Sequence, residues 1–265
     1  MEKFQIGLYK SLKRDPLNAF LTNELNYSLF PNDDLVSLSI IQGWQYQPYM
    51  FEFLSKNQII TKDKTIIDIG GNNGSFAIDF AHLVGNGGKV YTYEPQRIIY
   101  YQLCCNVFLN GLTNVYCNNV AIGESSKFVM IQTPNYFENE HMVNYGGAEI
   151  VAKGGDIVQC RPLDYYDYEN VVLIKIDVQG YEPFVLEGAI DTINKHRPYL
   201  YIEFEEELLQ KQGSTEEKLK SQIEALGYIV KQFNEGVKYN SPTGKCLDCV
   251  AIPIEKYEEF THIIP

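Results

Sequence analysis

The order of apolar and polar positions along the chain changes near residue 60. Before that point, apolar segments such as 35–41 and 47–54 occur without a regular alternation of strand-like and helix-like stretches. We therefore expect residues 1–60 to form an N-terminal extension that packs on a core and covers one end of a site. From residue 61 to 265, short apolar segments alternate with amphipathic ones, a pattern typical of a parallel sheet with helices on both faces.

The pattern over 61–265 predicts a doubly wound, mostly parallel, seven-stranded α/β sheet. The predicted strands are 64–69, 89–93, 114–118, 171–177, 198–204, 227–233 and 249–253, and the predicted helices are 75–84, 96–109, 183–194 and 216–226. The last two strands are expected to pair as an antiparallel hairpin at the edge of the sheet. Between the third and fourth strands, one further strand is predicted at 127–132, followed by a long loop at 133–155, and loops of that length are commonly functional or disordered.

A glycine-rich turn follows the first predicted strand. Asp68 lies near the end of that strand, and Gly70, Gly71 and Gly74 follow it. Because glycine has no Cβ, such a turn can bend sharply and approach a ligand closely. Glu94 ends the second strand about twenty residues on, a spacing at which a carboxylate can bind ribose hydroxyls. Strand, turn, helix and acid together predict a site for a nucleotide-like cofactor.

The glycine spacing narrows the ligand. A dinucleotide site needs a third glycine, whereas the large Phe76 follows Gly74, and a triphosphate site needs a lysine that is missing here. An adenosine without a diphosphate remains, and S-adenosylmethionine fits, with its ribose on Glu94 and its ammonium near Asp68. Taken singly, these residues could be a tight turn, a helix cap or a surface strand end; their order indicates the cofactor site.

The net charge of the chain limits the kinds of partner that it can bind. With 34 acidic and 22 basic residues, the chain has a formal net charge of −12. That charge argues against nucleic acid or anionic lipid as the main partner and favours a neutral small molecule or glycan. Neither a signal-like apolar run at the start nor a span-length apolar segment occurs, so we expect a soluble, cytoplasmic protein that does not bind membranes.

Seven motifs, spread over about residues 46–253, resemble the FkbM-type methyltransferases, which methylate hydroxyl oxygens. They are 68–76 (similar to D-x-G-A-N-x-G-x-[FY]), 93–95 ([FY]-E-P), 106–112 (N-x₃-N-G-L), 119–123 (N-x-A-[VIL]-G), 144–148 (loop glycines), 174–182 (K-I-D-V-E-G-x-E) and 197–203 (R-P-x₃-x-E). The last two are much more specific than the glycine turn. Two positions depart from the pattern: Gln179 replaces a usual Glu, and Gly71 replaces Ala.

The resemblance implies a class I, Rossmann-like methyltransferase domain that binds S-adenosylmethionine. The residues predicted to bind this cofactor are Asp68, Gly70, Gly71, Asn72, Asn73, Gly74, Glu94, Pro95, Asn119, Ala121 and Asp177.

Candidate catalytic residues follow the fourth and fifth strands. A protonated hydroxyl is a poor nucleophile, so a base or a cation is expected near the acceptor. Asp177, Glu182 and Glu203 could supply a general base or bind a divalent ion such as Mg²⁺ or Mn²⁺. Glu182 could instead cap a helix N-terminus. His141, in the long loop, is a further candidate base, with an ordinary surface histidine as the alternative.

These observations lead to one main hypothesis and two alternatives. The main hypothesis is an S-adenosylmethionine-dependent O-methyltransferase acting on a hydroxyl of a sugar or glycan. The first alternative is O-methylation of a lipid or polyketide alcohol. The second is a non-catalytic module that binds the cofactor or a partner.

Overall fold

The computed structural model describes residues 18–21, 25–30, 36–42, 47–136, 143–232 and 246–260. Its strands are β1 (Asn18–Leu21), β2 (Asn26–Leu29), β3 (Thr65–Ile69), β4 (Lys89–Tyr93), β5 (Val115–Asn118), β6 (Ala121–Ile122), β7 (Lys127–Gln132), β8 (Glu149–Val151), β9 (Asp156–Arg161), β10 (Val171–Ile176), β11 (Tyr199–Glu205), β12 (Tyr228–Gln232) and β13 (Cys246–Pro253). Its α-helices are α1 (Val36–Ile41), α2 (Pro48–Lys56), α3 (Ser75–Val84), α4 (Arg97–Leu109), α5 (Glu182–Glu187), α6 (Ile190–His196), α7 (Glu206–Lys211) and α8 (Glu216–Ala225).

The main sheet has seven strands in the order β12-β13-β11-β10-β3-β4-β5. The five strands from β11 to β5 are parallel, and β13 is antiparallel to both of its neighbours. This arrangement confirms the predicted doubly wound, mostly parallel sheet. The last strand, β13, inserts between β11 and β12, so β12 forms the edge. Because parallel strands end on the same side, the segments after β3, β4, β10 and β11 meet at one edge.

The helix predicted over 183–194 was wrong in one respect, because it is two helices, α5 and α6. The break falls at Gly188, where a Cβ would lie 2.0 Å from the carbonyl oxygen of Gly123. Asp164 starts the second helix by accepting the backbone N–H of Thr192 at 2.8 Å. Two segments from elsewhere in the chain therefore end one helix and cap the next, which the local pattern of apolar residues does not reveal.

The loop predicted over 133–155 was also wrong in part. It contains β8, which joins β6, β7 and β9 in a second sheet of four strands, in the order β6-β9-β7-β8. The strands of this small sheet are short or strongly exposed, so their alternation of apolar and polar positions is weak. Residues 137–142, including His141, lie outside the described part of the chain.

The core lies on both faces of the main sheet. Strand alternation sends Ile174 and Ile176 to the face covered by α5, α6 and α8, and Leu173 to the face covered by α2, α3 and α4. Helix α2, from the predicted extension, packs there through Phe51, whose ring stacks on that of Phe76 at 5.7 Å. Among the described residues, none of the helices has the length and apolar character needed to cross a membrane.

Candidate active site

The glycine turn after β3 is pressed against the ends of two neighbouring strands. Gly70 and Gly74 have φ angles of +84° and +90°, which favour glycine. A Cβ on Gly70 would lie 1.8 Å from the backbone oxygen of Asp177, just after β10. The backbone N–H groups of Gly70 and Gly71 both donate to the carbonyl oxygen of Tyr93, at 2.9 Å each. The turn therefore has no room for side chains at these points.

The carboxylate of Glu94 lies over this turn. It accepts the backbone N–H of Asn72 at 2.9 Å and of Gln96 at 2.8 Å. The side-chain amide of Asn119 donates to the carbonyl oxygens of Glu94 and Pro95, at 2.8 and 3.0 Å. Burial raises the pKa of Glu94 to about 7. Each carboxylate oxygen uses one lone pair in these bonds and keeps another for a ligand.

A second network braces the turn from below. Asn73 is buried, and its carbonyl oxygen accepts the side-chain amide of Asn106 at 2.7 Å. The same Asn106 accepts the backbone N–H of Ser28 at 2.5 Å, while Asn110 holds both backbone groups of Asn26. The two asparagines of the 106–112 motif therefore connect α4 to the turn and to β2.

A buried charge cluster lies beneath the site. The ammonium of Lys175 is 3.6 Å from Asp68 Oδ1 and 3.4 Å from Asp177 Oδ2, and it donates to the carbonyl oxygen of Gly70 at 3.3 Å. Burial disfavours the charge on Lys175, but the two carboxylates outweigh it and raise its pKa above the ordinary value. Burial raises the pKa of Asp68, whose carboxylate also accepts the hydroxyl of Thr92 at 3.0 Å. The cluster joins three adjacent strands and fixes one oxygen of Asp177.

The other oxygen of Asp177 belongs to a bridge along the edge of the sheet. Gln179 Nε2 donates to Asp177 Oδ1 at 3.4 Å and to Glu203 Oε2 at 3.3 Å. Asp248, on β13, stands opposite Glu203 in the strand pairing. Burial raises the pKa of Asp248 to about 6. The sequence alone does not place Asp248 at the site, because only the pairing of β11 with β13 brings it to this edge.

Glu182 is turned towards its own loop. Its Oε1 accepts the backbone N–H groups of Val178 and Gly180, at 3.0 and 3.2 Å, and burial raises its pKa to about 7. Within the described ranges, no three His, Cys, Asp or Glu side chains form a group that could hold a metal ion. The metal site considered for Asp177, Glu182 and Glu203 is therefore not supported by these residues.

A cavity opens at this edge of the main sheet, and the small sheet forms its opposite wall. Of the residues predicted to bind the cofactor, the cavity is lined by Gly70, Glu94, Pro95, Ala121 and Asp177. The remaining ones, which shape the turn or brace the wall behind the lining, are Asp68, Gly71, Asn72, Asn73, Gly74 and Asn119.

Several lining residues were not predicted as site residues. Gln96 lines the cavity and accepts the hydroxyl of Tyr136 at 2.7 Å, and the ring of Tyr136 packs against those of Phe30 and Tyr145. Gly146 also lines it, and a Cβ there would be 2.7 Å from the side-chain amide of Asn72. The glycines of the 144–148 motif were the sequence signal for this wall.

Comparison with known proteins gives the following. The sequence profile of the Methyltransferase FkbM domain matches residues 68–230, more than half of the chain. No curated protein matches. Solved structures that are similar in fold include a methyltransferase FkbM from Methylobacillus flagellatus KT, which is 17% identical over 72% of this chain and 44% of that chain, with a TM-score of 0.48. A SAM-dependent methyltransferase from Aquifex aeolicus is 17% identical over 78% of this chain and 88% of that chain, with a TM-score of 0.44. A SAM-dependent O-methyltransferase from Thermotoga maritima is 14% identical over 92% of this chain and 80% of that chain, with a TM-score of 0.48. The matched region thus spans less than half the length of the first of these.

Proposed function

The chain belongs to the FkbM methyltransferase family, and from this premise we propose that it transfers a methyl group from S-adenosylmethionine to a hydroxyl oxygen of a sugar or glycan. The observation that carries the proposal is the cavity lined by Gly70, Glu94 and Asp177 at the carboxyl edge of β3, β4 and β10. In open α/β sheets, ligands bind at this edge. One cavity therefore joins the turn, the acid and the candidate base.

The residues present suit this cofactor. Glu94 keeps lone pairs that can accept two ribose hydroxyls, and Ile122, Ile131 and Ile150 give the cavity apolar walls that suit an adenine ring. Beneath the turn, the carboxylates of Asp68 and Asp177 share the single ammonium of Lys175, at 3.6 and 3.4 Å. When bound, S-adenosylmethionine supplies a methyl group on a positively charged sulfur, and acidic surroundings favour that charge.

In this proposal Asp177 acts as the general base. Its side chain is 25% exposed, enough to reach a ligand, and Lys175 and Gln179 each hold one of its oxygens. As the acceptor oxygen bonds to the methyl carbon and the carbon–sulfur bond breaks, with its electron pair left on the sulfur, the proton of the acceptor hydroxyl would pass to Asp177. Positioning and exclusion of water provide the rest of the acceleration, because the displacement needs only alignment of oxygen, carbon and sulfur.

The acceptor class is proposed from the polarity of the edge. Asp177 and Gln179 line the cavity, and Gln179 also bonds to Glu203 behind it, so that oxygens and an amide would meet the acceptor, and such groups bind hydroxyl-rich molecules well. A lipid or polyketide alcohol would need an apolar tunnel leading to the same point. The net charge of −12 is also compatible with a neutral sugar.

An acceptor screen tests the proposal. The protein is incubated with S-adenosylmethionine carrying a labelled methyl group and with sugars, sugar nucleotides and glycans, beside a panel of lipid and polyketide alcohols. We expect label on a sugar hydroxyl. Label found only on lipid or polyketide alcohols would show that the acceptor is one of these alcohols and not a sugar. Cofactor binding without transfer to any acceptor would favour the non-catalytic module.

Cofactor affinity is expected to depend on Glu94 and on pH. Because the pKa of Glu94 is about 7, its ionised fraction rises about tenfold from about pH 6 to about pH 8. If the ionised carboxylate holds the ribose, affinity for S-adenosylhomocysteine increases over that range and decreases as the pH falls below 7. At about pH 8, Glu94→Gln should weaken binding of S-adenosylhomocysteine at least about tenfold, because one charged hydrogen-bond acceptor is lost. The same substitution should remove most of the pH dependence of binding. Isothermal titration calorimetry measures both effects.

Asp164→Asn provides the matched control for that experiment. Asp164 also accepts two backbone N–H groups, those of Asp191 and Thr192 at 2.9 and 2.8 Å, but it does not line the cavity. The affinity of this variant for S-adenosylhomocysteine should stay within about threefold of wild type, because only hydrogen bonds at the start of α6 change. Equal losses in both variants, or wild-type binding by Glu94→Gln, would contradict the ribose role of Glu94.

A further inference from the structure

The side chain of Gln179 joins two carboxylates from neighbouring strands. Its single amide nitrogen donates to Asp177 Oδ1 and to Glu203 Oε2, at 3.4 and 3.3 Å. An amide nitrogen carries two hydrogens, so one residue serves both acids. Gln179 also lines the same cavity as Gly70 and Glu94. The bridge therefore stands at the acceptor side of the site.

The backbone holds this side chain in place. Gln179 has a φ of +57°, a left-handed conformation that is strained for a non-glycine residue. Glu182 ties the loop on either side of it through Val178 and Gly180. Gly180 is close-packed as well, since a Cβ there would be 2.3 Å from the carbonyl oxygen of Leu208. The strained conformation is thus kept by its surroundings and directs the amide between the two acids.

At position 179, the charge of the side chain affects the neighbouring acids more than its size does. A glutamate at position 179 would place a third carboxylate against Asp177 and Glu203. Lys175 is already shared between Asp68 and Asp177, so it could not balance that extra charge. Carboxylates this close cannot all ionise without a proton or a cation between them, and three of them supply the oxygen ligands that divalent ions prefer.

We propose that Gln179 is a positioning residue that holds Asp177 and Glu203 with an uncharged amide, so that the acceptor site of this protein works without a divalent cation. The proposal rests on the proposed function only in taking Asp177 and Glu203 as the acceptor site. Its direct consequence concerns metal affinity: replacing the amide by a carboxylate creates a divalent cation site where the native protein has none.

Manganese binding tests this consequence without any acceptor. Manganese chloride is titrated into the wild-type protein, Gln179→Glu and Gln210→Glu, and free Mn²⁺ is followed by electron paramagnetic resonance. Gln210 is the matched control, because its amide also donates to a carboxylate, that of Glu206 at 2.6 Å, but on the exposed surface of α7. Both substitutions add the same charge beside an acid. Binding of S-adenosylhomocysteine shows that each variant is folded.

We expect Gln179→Glu to bind Mn²⁺ at least about tenfold more tightly than the wild type and Gln210→Glu, because each added carboxylate ligand strengthens such a site. Adding Asp177→Asn to Gln179→Glu should abolish the gain. A folded Gln179→Glu protein without tighter binding, or a wild-type site of equal affinity, would overturn the proposal.

The activity of the wild-type protein in the presence of a chelator is an independent test. Methyl transfer to the acceptor found in the screen should be unchanged in excess EDTA, and a loss reversed by Mg²⁺ or Mn²⁺ would overturn the proposal. Failure to find any acceptor counts against the proposed function instead, and the manganese comparison still decides the role of Gln179.

Discussion

A protein carrying Asp177→Asn is expected to transfer the methyl group at least about 100-fold more slowly, whereas its affinity for S-adenosylmethionine, which the carboxylate also favours, should fall only about threefold. Asparagine keeps the size of the side chain and can keep the contact with Lys175, but it cannot take a proton from the acceptor hydroxyl. The loss should appear in kcat, with little change in KM for the cofactor, because the interaction is made only as the oxygen reacts.

Asp167→Asn is the matched control for this variant. Asp167 is also paired with a lysine, Lys195 at 2.8 Å, but both side chains are exposed, and Asp167 precedes β10 whereas Asp177 follows it, so the two acids lie at opposite ends of that strand. That substitution should leave turnover within about twofold, because exposed ion pairs contribute little. Turnover is measured by mass spectrometry with the acceptor from the screen. Comparable turnover in Asp177→Asn and Asp167→Asn would exclude Asp177 as the base.

The central strands could be predicted because their environment is uniform. All five residues of β3 are buried, so its sequence is apolar apart from Thr65 and Asp68, and glycines mark the turn after it. Helix α3 starts at Ser75 and ends before Gly85, as the glycines predict. Where local pattern and tertiary contacts agree, sequence reasoning finds the element.

The failures have a common physical cause, which is contact between segments distant in the chain. The break between α5 and α6 depends on Gly123 and Asp164, both well before these helices. In the small sheet, β7 matches the strand predicted at 127–132, whereas β8 and β9 form by pairing with β7 and were not predicted. Neither contact leaves a periodic signal in the segment it shapes.

The candidate site shows the same division. The sequence predicts which residues gather at the edge of the sheet, but not which of them face the cavity. Asp68 and Asp177 are both acids near strand ends, yet Asp68 is fully buried beneath the turn and Asp177 lines the cavity. Glu182 bonds to the backbone N–H groups of Val178 and Gly180, which lie in the loop before helix α5. His141 and the domain boundary at about residue 60 stay predictions.

Gly70→Ala is expected to lower the free energy of unfolding by at least about 3 kcal/mol, because it combines a left-handed backbone with overpacking. Its Cβ would lie 1.8 Å from the backbone oxygen of Asp177, and neither strand end can move without breaking the pairing of β3 with β10. Any relief of the clash would also move Asp177 away from the turn. Urea unfolding measures the stability, and calorimetry with S-adenosylhomocysteine measures the accompanying loss of affinity.

Gly111→Ala separates the strain of the backbone from the clash. Gly111 also has a positive φ, +63°, but a Cβ there meets nothing within 4 Å. Its cost should be about 1 kcal/mol, that of a left-handed alanine alone, and cofactor affinity should not change. The difference between the two variants measures how tightly the turn is pressed against β10. If Gly70→Ala were as mild as Gly111→Ala, the close approach of the turn to Asp177 would be wrong, and with it the geometry that joins the cofactor turn to the candidate base.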